Sequence, residues 1–389
     1  MLTRADRPLR LAFLGTRGIP AGYSGFETCA EQLGVRLVER GHQVTVYCRE
    51  HFQTEPRDSY LGVRLVTFPV VRHKYLETLH HTIVSGVHAL TEGYDAVLTF
   101  IAGNSVVAWI PRLAGVPVAL HVDGLDWRRR KWPEPAKRYL RFAERLSRHT
   151  ANVVVTDSHA VVDFYRRTYG FEPTYIPYGS EVRRRPPGET LARFGLEPGR
   201  YILFVGRLVP ENCAHHLVEA FRGLDTGMKC VIVGDAPYVE AYQTALRATD
   251  DPRVVFTGYV FGDGYAELSS SAYAFVETSE VGGTHPALLE AMGSGSAVIV
   301  NDTAENLETI AGAGLAYDGR SGGAALREVL KGLLDDPARR DVLAAAAKAR
   351  VDATYAWEAV TDRYEELFRE MVRRRRGGAA PPGPSSAGS

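Results

Sequence analysis

Short runs of apolar, β-branched residues alternate with longer helix-period stretches along this chain, and the alternation runs through two cycles. The first cycle places strands at 11–15, 44–48, 63–68, 96–100, 116–121 and 153–156, and the second at 201–205, 230–233, 254–256, 273–276 and 297–300. Such alternation builds βαβ units around a parallel sheet. Between the cycles, Gly170, Pro173, Pro177 and Gly179 lead into the basic, proline-rich stretch 183–188, which reads as a connection between domains. A chain of 389 residues exceeds what one core accommodates, so two doubly wound α/β domains are expected, at 1–182 and 183–355. That architecture places a ligand cleft at the carboxyl ends of both sets of strands. Helical patterns at 341–355 and 357–369 follow. The segment 356–372 is expected to be a helix packed back on the first domain, and the arginine run with its Gly, Ala, Pro and Ser sequel, 373–389, a disordered tail.

Composition works by exclusion. The 46 basic residues balance 46 acidic ones, so net charge names no partner and argues against nucleic acid. Cys29, Cys48, Cys213 and Cys230 show no C-x-x-C spacing and are too sparse for a disulfide scaffold or a zinc site; a reducing compartment fits. Residues 1–11 lack the apolar run of a secretion signal, and no stretch is apolar for long enough to cross a bilayer. A cytoplasmic protein, at most peripheral to a membrane, is expected.

The first strand runs into Thr16-Arg17-Gly18-Ile19-Pro20-Ala21-Gly22-Tyr23-Ser24-Gly25-Phe26-Glu27, followed by a helical pattern over 28–40. Glycines let backbone approach a ligand, and the helix start offers free N–H groups to an anion. Gly18, Gly22, Tyr23, Ser24, Gly25 and Glu27 are therefore candidates for a phosphate or acceptor loop, with a plain turn as the alternative. Arg17 stands where the dinucleotide fingerprint needs its second glycine, and no G-K-[ST] follows, so nicotinamide and P-loop chemistry lose ground.

The run Gly15-Thr16-Arg17-Gly18-Ile19-Pro20-Ala21-Gly22-Tyr23-Ser24-Gly25-Phe26-Glu27-Thr28 resembles the opening of a branch of glycosyltransferase family four that includes bacterial β-1,4-rhamnosyltransferases of capsule synthesis. Val122-Asp123-Gly124-Leu125-Asp126-Trp127-Arg128-Arg129-Arg130-Lys131-Trp132 is similar to that branch's D-G-L-E-W-K-R-x-K-W segment. The likeness spans residues 10 to about 370 and implies the GT-B fold, two Rossmann-like α/β domains facing a cleft, with transfer that retains anomeric configuration.

In the second half, Gly206-Arg207 follows a strand and precedes Pro210-Glu211-Asn212. A forked, permanently charged guanidinium suits a diphosphate whose charge grows as a glycosidic bond breaks. The family usually carries a lysine five or six residues beyond this arginine; here those positions are Asn212 and Cys213. Gly282-Gly283-Thr284-His285-Pro286 through Glu290 resembles the family's E-x7-E region. Glu290 matches the second glutamate and inherits a ribose-binding role, whereas Gly282 replaces the first. Contacts to the donor sugar then fall to Thr284, His285 or Glu280. Gly206, Arg207, Asn212, Gly282, Gly283, Thr284, His285 and Glu290 make up the expected donor set.

His121, at a strand end, resembles the histidine that the family directs at the donor sugar, although a hydrogen-bonded core histidine would read the same. Asp123, Asp126, Trp127, Arg128 and Lys131 are the acceptor candidates, the two aspartates doubling as possible helix caps. Arg207, His121 and Glu290 form the expected catalytic set. No D-x-D occurs, and the resemblance implies that the departing phosphate takes the acceptor proton, so neither metal nor cofactor is expected. Residues 127–149 hold nine Arg or Lys with Trp127, Trp132, Tyr139 and Phe142 interleaved, which suits anionic headgroups or a polyprenyl-diphosphate-linked glycan as well as a merely solvated helix face. Donor expectations are dTDP-rhamnose first and a UDP-sugar second. A nucleotide-sugar 2-epimerase and a non-catalytic sugar-nucleotide-binding regulator are the competing readings.

Overall fold

The structure is a computed structural model that describes residues 7–375 apart from 23–24, 54, 74–75, 123, 130–131, 181, 183 and 237–238. Its first half contains β1 (Arg10–Leu14), α1 (Gly25–Glu39), β2 (Gln43–Arg49), β3 (Ser59–Tyr60), β4 (Val63–Phe68), α2 (Glu77–Ala89), β5 (Ala96–Phe100), β6 (Val118–His121), α3 (Glu134–Thr150), β7 (Val153–Thr156), α4 (His159–Tyr169) and β8 (Thr174–Tyr175). The second half contains α5 (Glu189–Arg193), β9 (Tyr201–Val205), α6 (Ala214–Arg222), β10 (Lys229–Val233), α7 (Glu240–Arg247), β11 (Val254–Gly258), α8 (Gly262–Ser271), β12 (Ala274–Glu277), α9 (Pro286–Ser294), β13 (Ala297–Asn301), α10 (Ala304–Ile310), β14 (Leu315–Tyr317), α11 (Gly322–Leu334), α12 (Pro337–Thr354) and α13 (Trp357–Arg375).

Two α/β sheets result, as expected. The first has the order β3-β4-β2-β1-β5-β6-β7-β8 and is parallel except for the β3–β4 hairpin; the second has the order β11-β10-β9-β12-β13-β14, all parallel. Strand order reverses between β1 and β5 in one sheet and between β9 and β12 in the other. Loops leaving neighbouring strands diverge at such points, which opens a crevice at their carboxyl ends. Those loops are the stretch 15–25, Gly206–Arg207 and the segment after Glu277.

The helix α13 brings the chain end back to the first half. Its stripe Trp357, Val360, Thr361, Tyr364, Leu367, Phe368, Met371 and Val372 is buried, at the three- and four-residue spacing of a packed helix face. Phe368 meets Phe13 of β1 at 6.4 Å between ring centroids. Arg40 of α1 pairs with Glu358 at 2.8 Å and with Asp362 at 2.7 Å, and Arg36 with Glu358 at 3.1 Å. The helix runs to Arg375, so the basic run begins inside it rather than after it; residues 376–389 lie outside the described residues.

The chain crosses between the halves twice, and the crossings touch: Ser180 N donates to Tyr355 O at 2.7 Å. Beside this junction the indole of Trp357 lies flat on the backbone, so that a β-carbon on Gly179 would fall 2.2 Å from Trp357 Cδ2. Gly179→Ala must push this buried indole off its seat. We expect a loss of about 1–3 kcal/mol in unfolding free energy by denaturant titration, as for other overpacked cores; an unchanged midpoint would place the indole elsewhere.

Candidate functional site

Arg207 stands just past β9, partly exposed, and its guanidinium makes no hydrogen bond or ion pair among the described residues. Its loop is held instead through the main chain. Asn212 Nδ2 donates to Arg207 O at 2.9 Å, the hydroxyl of Thr278 donates to Asn212 O, and Glu280 N donates to Glu211 O at 2.9 Å. These bonds tie the Arg207 loop to the segment leaving β12. Asn212 thereby serves the arginine's position.

In that segment, Gly282 lies under the ring of His285, whose Nδ1 is 4.0 Å from Glu277 Oε2. Glu277 is buried at the end of β12, with Oε1 accepting from the Ser279 amide at 2.9 Å and from its hydroxyl. Pro286 opens α9, and Glu290 follows on it, half-buried. Burial, and then the charge of Glu290, hold the Tyr265 phenol above its ordinary range, so a neutral tyrosine neighbours this carboxylate. Thr284 is committed elsewhere. Its amide donates to Asp157 Oδ2 at 3.0 Å and its hydroxyl to Asp157 O at 3.1 Å, across from the end of β7. Of the residues expected to replace the missing glutamate, His285 and Glu280 keep their side chains out of this bond.

The first half meets that segment directly. A β-carbon on Gly124 would fall 2.4 Å from Gly282 O, so only glycine permits this backbone approach. One on Gly25 would lie 3.4 Å from Pro286 Cγ, and the Tyr178 hydroxyl donates to Gly25 O. Glu308 of α10 closes the same seam. Its carboxylate accepts from Ser158 Oγ at 3.1 Å and from the amides of His159 at 3.0 Å and Ala160 at 3.2 Å, capping α4 where unpaired N–H groups gather. Asp157 and Glu308 carry no motif, and only the contact between halves reveals them; Glu277 is found by its approach to His285.

His121 sits at the end of β6, walled by Phe26 at 5.6 Å and Phe100 at 5.7 Å between ring centroids. Burial alone pulls its pKa down to about 4, so the ring is neutral, and neither nitrogen has a hydrogen-bond partner among the described residues. In the glycine-rich loop, Glu27 accepts from the Arg17 amide at 2.9 Å and so braces the loop. Gly18 packs its backbone on Cys48, whereas Gly22 faces open space. Tyr23, Ser24, Asp123 and Lys131 lie outside the described residues.

Of the acceptor candidates, Asp126, Trp127 and Arg128 are among the described residues. Asp126 pairs with Arg129 at 2.8 Å rather than capping a helix. Trp127 and Arg128 turn to a recess of about 570 Å³ between α3 and α4, lined by Trp127, Arg141, Phe142, Arg145, Phe164 and Tyr169. Beneath it, Glu144 Oε2 accepts from Trp127 Nε1 at 3.1 Å and from Tyr169 OH at 2.9 Å. Burial raises the Glu144 pKa to about 7 against these two donors. A raised carboxyl pKa contributes stability below its unfolded value of 4.5 and loses it as pH rises through 7. We expect the wild type to lose up to about 3 kcal/mol relative to Glu144→Gln between about pH 4 and about pH 8 in denaturant titrations; parallel pH curves would contradict this environment.

Comparison with known proteins bears on this geometry. Residues 24–179 match the family described as "Glycosyl transferase 4-like domain", and residues 199–336 match "Glycosyl transferases group 1". A GDP-mannose-dependent monoacylated alpha-(1-6)-phosphatidylinositol monomannoside mannosyltransferase of Corynebacterium glutamicum is 28% identical over 232 residues, 54% of this chain and 60% of that one. The chain thus aligns with about three fifths of that relative's length. In fold, a sucrose-phosphate synthase from Thermosynechococcus elongatus superposes with a TM-score of 0.79 at 22% identity, over 94% of this chain and 100% of the other. Anabaena HepE in complex with UDP-glucose superposes with a TM-score of 0.74 at 18% identity, over 93% and 100%. Two matched glycosyltransferase domain families in this order, at 24–179 and 199–336, and superposition of nearly the whole chain on these structures give it the GT-B fold.

Proposed function

We propose that this protein transfers a sugar from a nucleoside diphosphate to a glycan acceptor with retention of configuration. The observation that carries the reading is the guanidinium of Arg207, without a hydrogen bond or ion pair among the described residues, on a loop that Asn212 holds through the Arg207 carbonyl where the second sheet reverses its strand order. Relatives by fold include a protein bound to UDP-glucose, and the matched mannosyltransferase is named for GDP-mannose. The resemblance of the 15–28 and 122–132 stretches puts dTDP-rhamnose first here and a UDP-sugar second.

In this reading Arg207 and the amides around Gly282 and Gly283 receive the diphosphate, and Glu290 accepts hydrogen bonds from the ribose hydroxyls. As the bond from the anomeric carbon to the phosphate oxygen breaks, negative charge grows on that oxygen beside the guanidinium. The acceptor hydroxyl attacks the same face, and its proton passes to the departing phosphate oxygen. A neutral His121 suits donation to, or acceptance from, a sugar hydroxyl; it does not suit delivery of a proton, since its pKa is about 4. His285, steadied by Glu277, takes the place that the absent first glutamate leaves beside the sugar. The acceptor is proposed to be polyprenyl-diphosphate-linked and reached at the inner face of a membrane, because the recess beside α3 combines Arg141 and Arg145 with Phe142, which is 58% exposed. No helix among the described residues is long and apolar enough to cross a membrane.

Removing Arg207 tests the chemistry. Arg207→Ala is expected to lower kcat about 100- to 1,000-fold, as loss of one transition-state charge partner does elsewhere, with thermal unfolding unchanged. Near-normal turnover would put the donor site elsewhere. For the membrane contact, each basic residue contributes about 1 kcal/mol at an anionic surface, so Arg141→Glu with Arg145→Glu should weaken binding to phosphatidylglycerol vesicles by at least about tenfold. A wild type that ignores such vesicles and uses a soluble acceptor efficiently would remove that part of the reading.

A further inference from the structure

Directly after the Pro210–Asn212 turn the chain reads Cys213-Ala214-His215-His216. Cys213 adopts a left-handed φ of 49°, which swings the backbone into α6 and folds the thiol back to within 3.3 Å of Pro210 O. His215 and His216 stand on the first turn, with ring centroids 4.6 Å apart. The Cys213 sulfur and one nitrogen from each histidine all lie within 4.8 Å of one another. Cys213 and His216 are buried and His215 is half-buried, so three soft or borderline donors converge inside the second half rather than on its surface.

Each ring is also held from behind. His215 Nδ1 is 3.1 Å from Tyr242 OH, and His216 Nδ1 is 3.0 Å from Tyr317 OH. A phenol beside a ring nitrogen orients the imidazole, the kind of outer-shell support that metal-binding histidines use.

We propose that Cys213, His215 and His216 form a binding site for a borderline divalent cation of the zinc class. One thiolate and two imidazoles suit zinc or cobalt and disfavour magnesium or calcium, which take oxygen donors. Three protein donors leave a fourth position for water. Binding converts the Cys213 thiol to a thiolate and releases its proton to solvent, so affinity rises with pH. The cluster occupies the stretch where the family resemblance places a lysine, so a bound cation restores positive charge behind the Arg207 loop; that consequence rests on the donor-site reading, whereas the binding itself does not.

The test is a cobalt titration of the full chain, free of any affinity tag and stripped with a chelator. Co²⁺ should produce a thiolate-to-cobalt charge-transfer band in the near ultraviolet and the visible bands of a four-coordinate ion, saturating at one ion per chain and bleached by Zn²⁺. Cys213→Ser should abolish the charge-transfer band, and His215→Asn, at the half-buried position, should weaken Co²⁺ binding by at least about tenfold. Thermal unfolding of both variants without metal establishes that they are folded. Absence of the charge-transfer band in the wild type, or its survival in Cys213→Ser, would overturn the proposal; neither result touches the Arg207 assignment.

Discussion

A guanidinium with no ion pair among the described residues, held where two loops diverge, is the constraint around which this structure is arranged. The side-chain amide of Asn212 holds Arg207 through its carbonyl oxygen, which leaves the guanidinium without a hydrogen bond among the described residues. Reversal of strand order at β9 and β12 creates the opening, and parallel strands buried on both faces hold it in place. In the proposed reading, an anion bound there would be stabilised by charge and by main-chain amides in surroundings that require little reorganisation, which is what a departing phosphate needs.

The two halves close over that opening through few contacts. Glu308 caps α4, Asp157 receives both donors of Thr284, and Gly124 meets Gly282 backbone to backbone. Hydrogen bonds of these kinds contribute about 0.5–3 kcal/mol each. A substrate that enters an open cleft and adds its own bonds across it would shift the balance toward closure. Packing of α13 on α1 and the touching crossings at Ser180 and Tyr355 supply a common edge about which the halves can move.

Much of the fold was legible because central parallel strands, buried on both sides, appear as uninterrupted apolar runs. The eleven strands read from such runs are present, with ends displaced by up to a few residues. The edge strands β3, β8 and β14 have two or three residues and partly exposed faces, so they leave no such run. At the site, Arg207 and the 282–290 segment stand out by order and spacing, and the structure sets Gly124 against Gly282 and Gly25 near Pro286. Glu27 and Thr284 looked like ligands but spend their polar groups inside the protein, on the Arg17 amide and on Asp157. Trp127 and Arg128 follow Gly124 closely in sequence, yet a short turn points them at the α3–α4 recess instead. Asp157 and Glu308 act on partners more than a hundred residues away, a relation that local pattern cannot carry. Cys213 was not read as a candidate metal ligand for a different reason: a search for paired cysteines passes over one cysteine beside two histidines.

A crystal structure with a bound nucleoside diphosphate tests the central claim most directly. The pyrophosphate should lie between the Arg207 guanidinium and the main-chain amides of Gly282 and Gly283, with the first half closed over it. A diphosphate seated on another surface, with this crevice occupied only by water, would contradict the account.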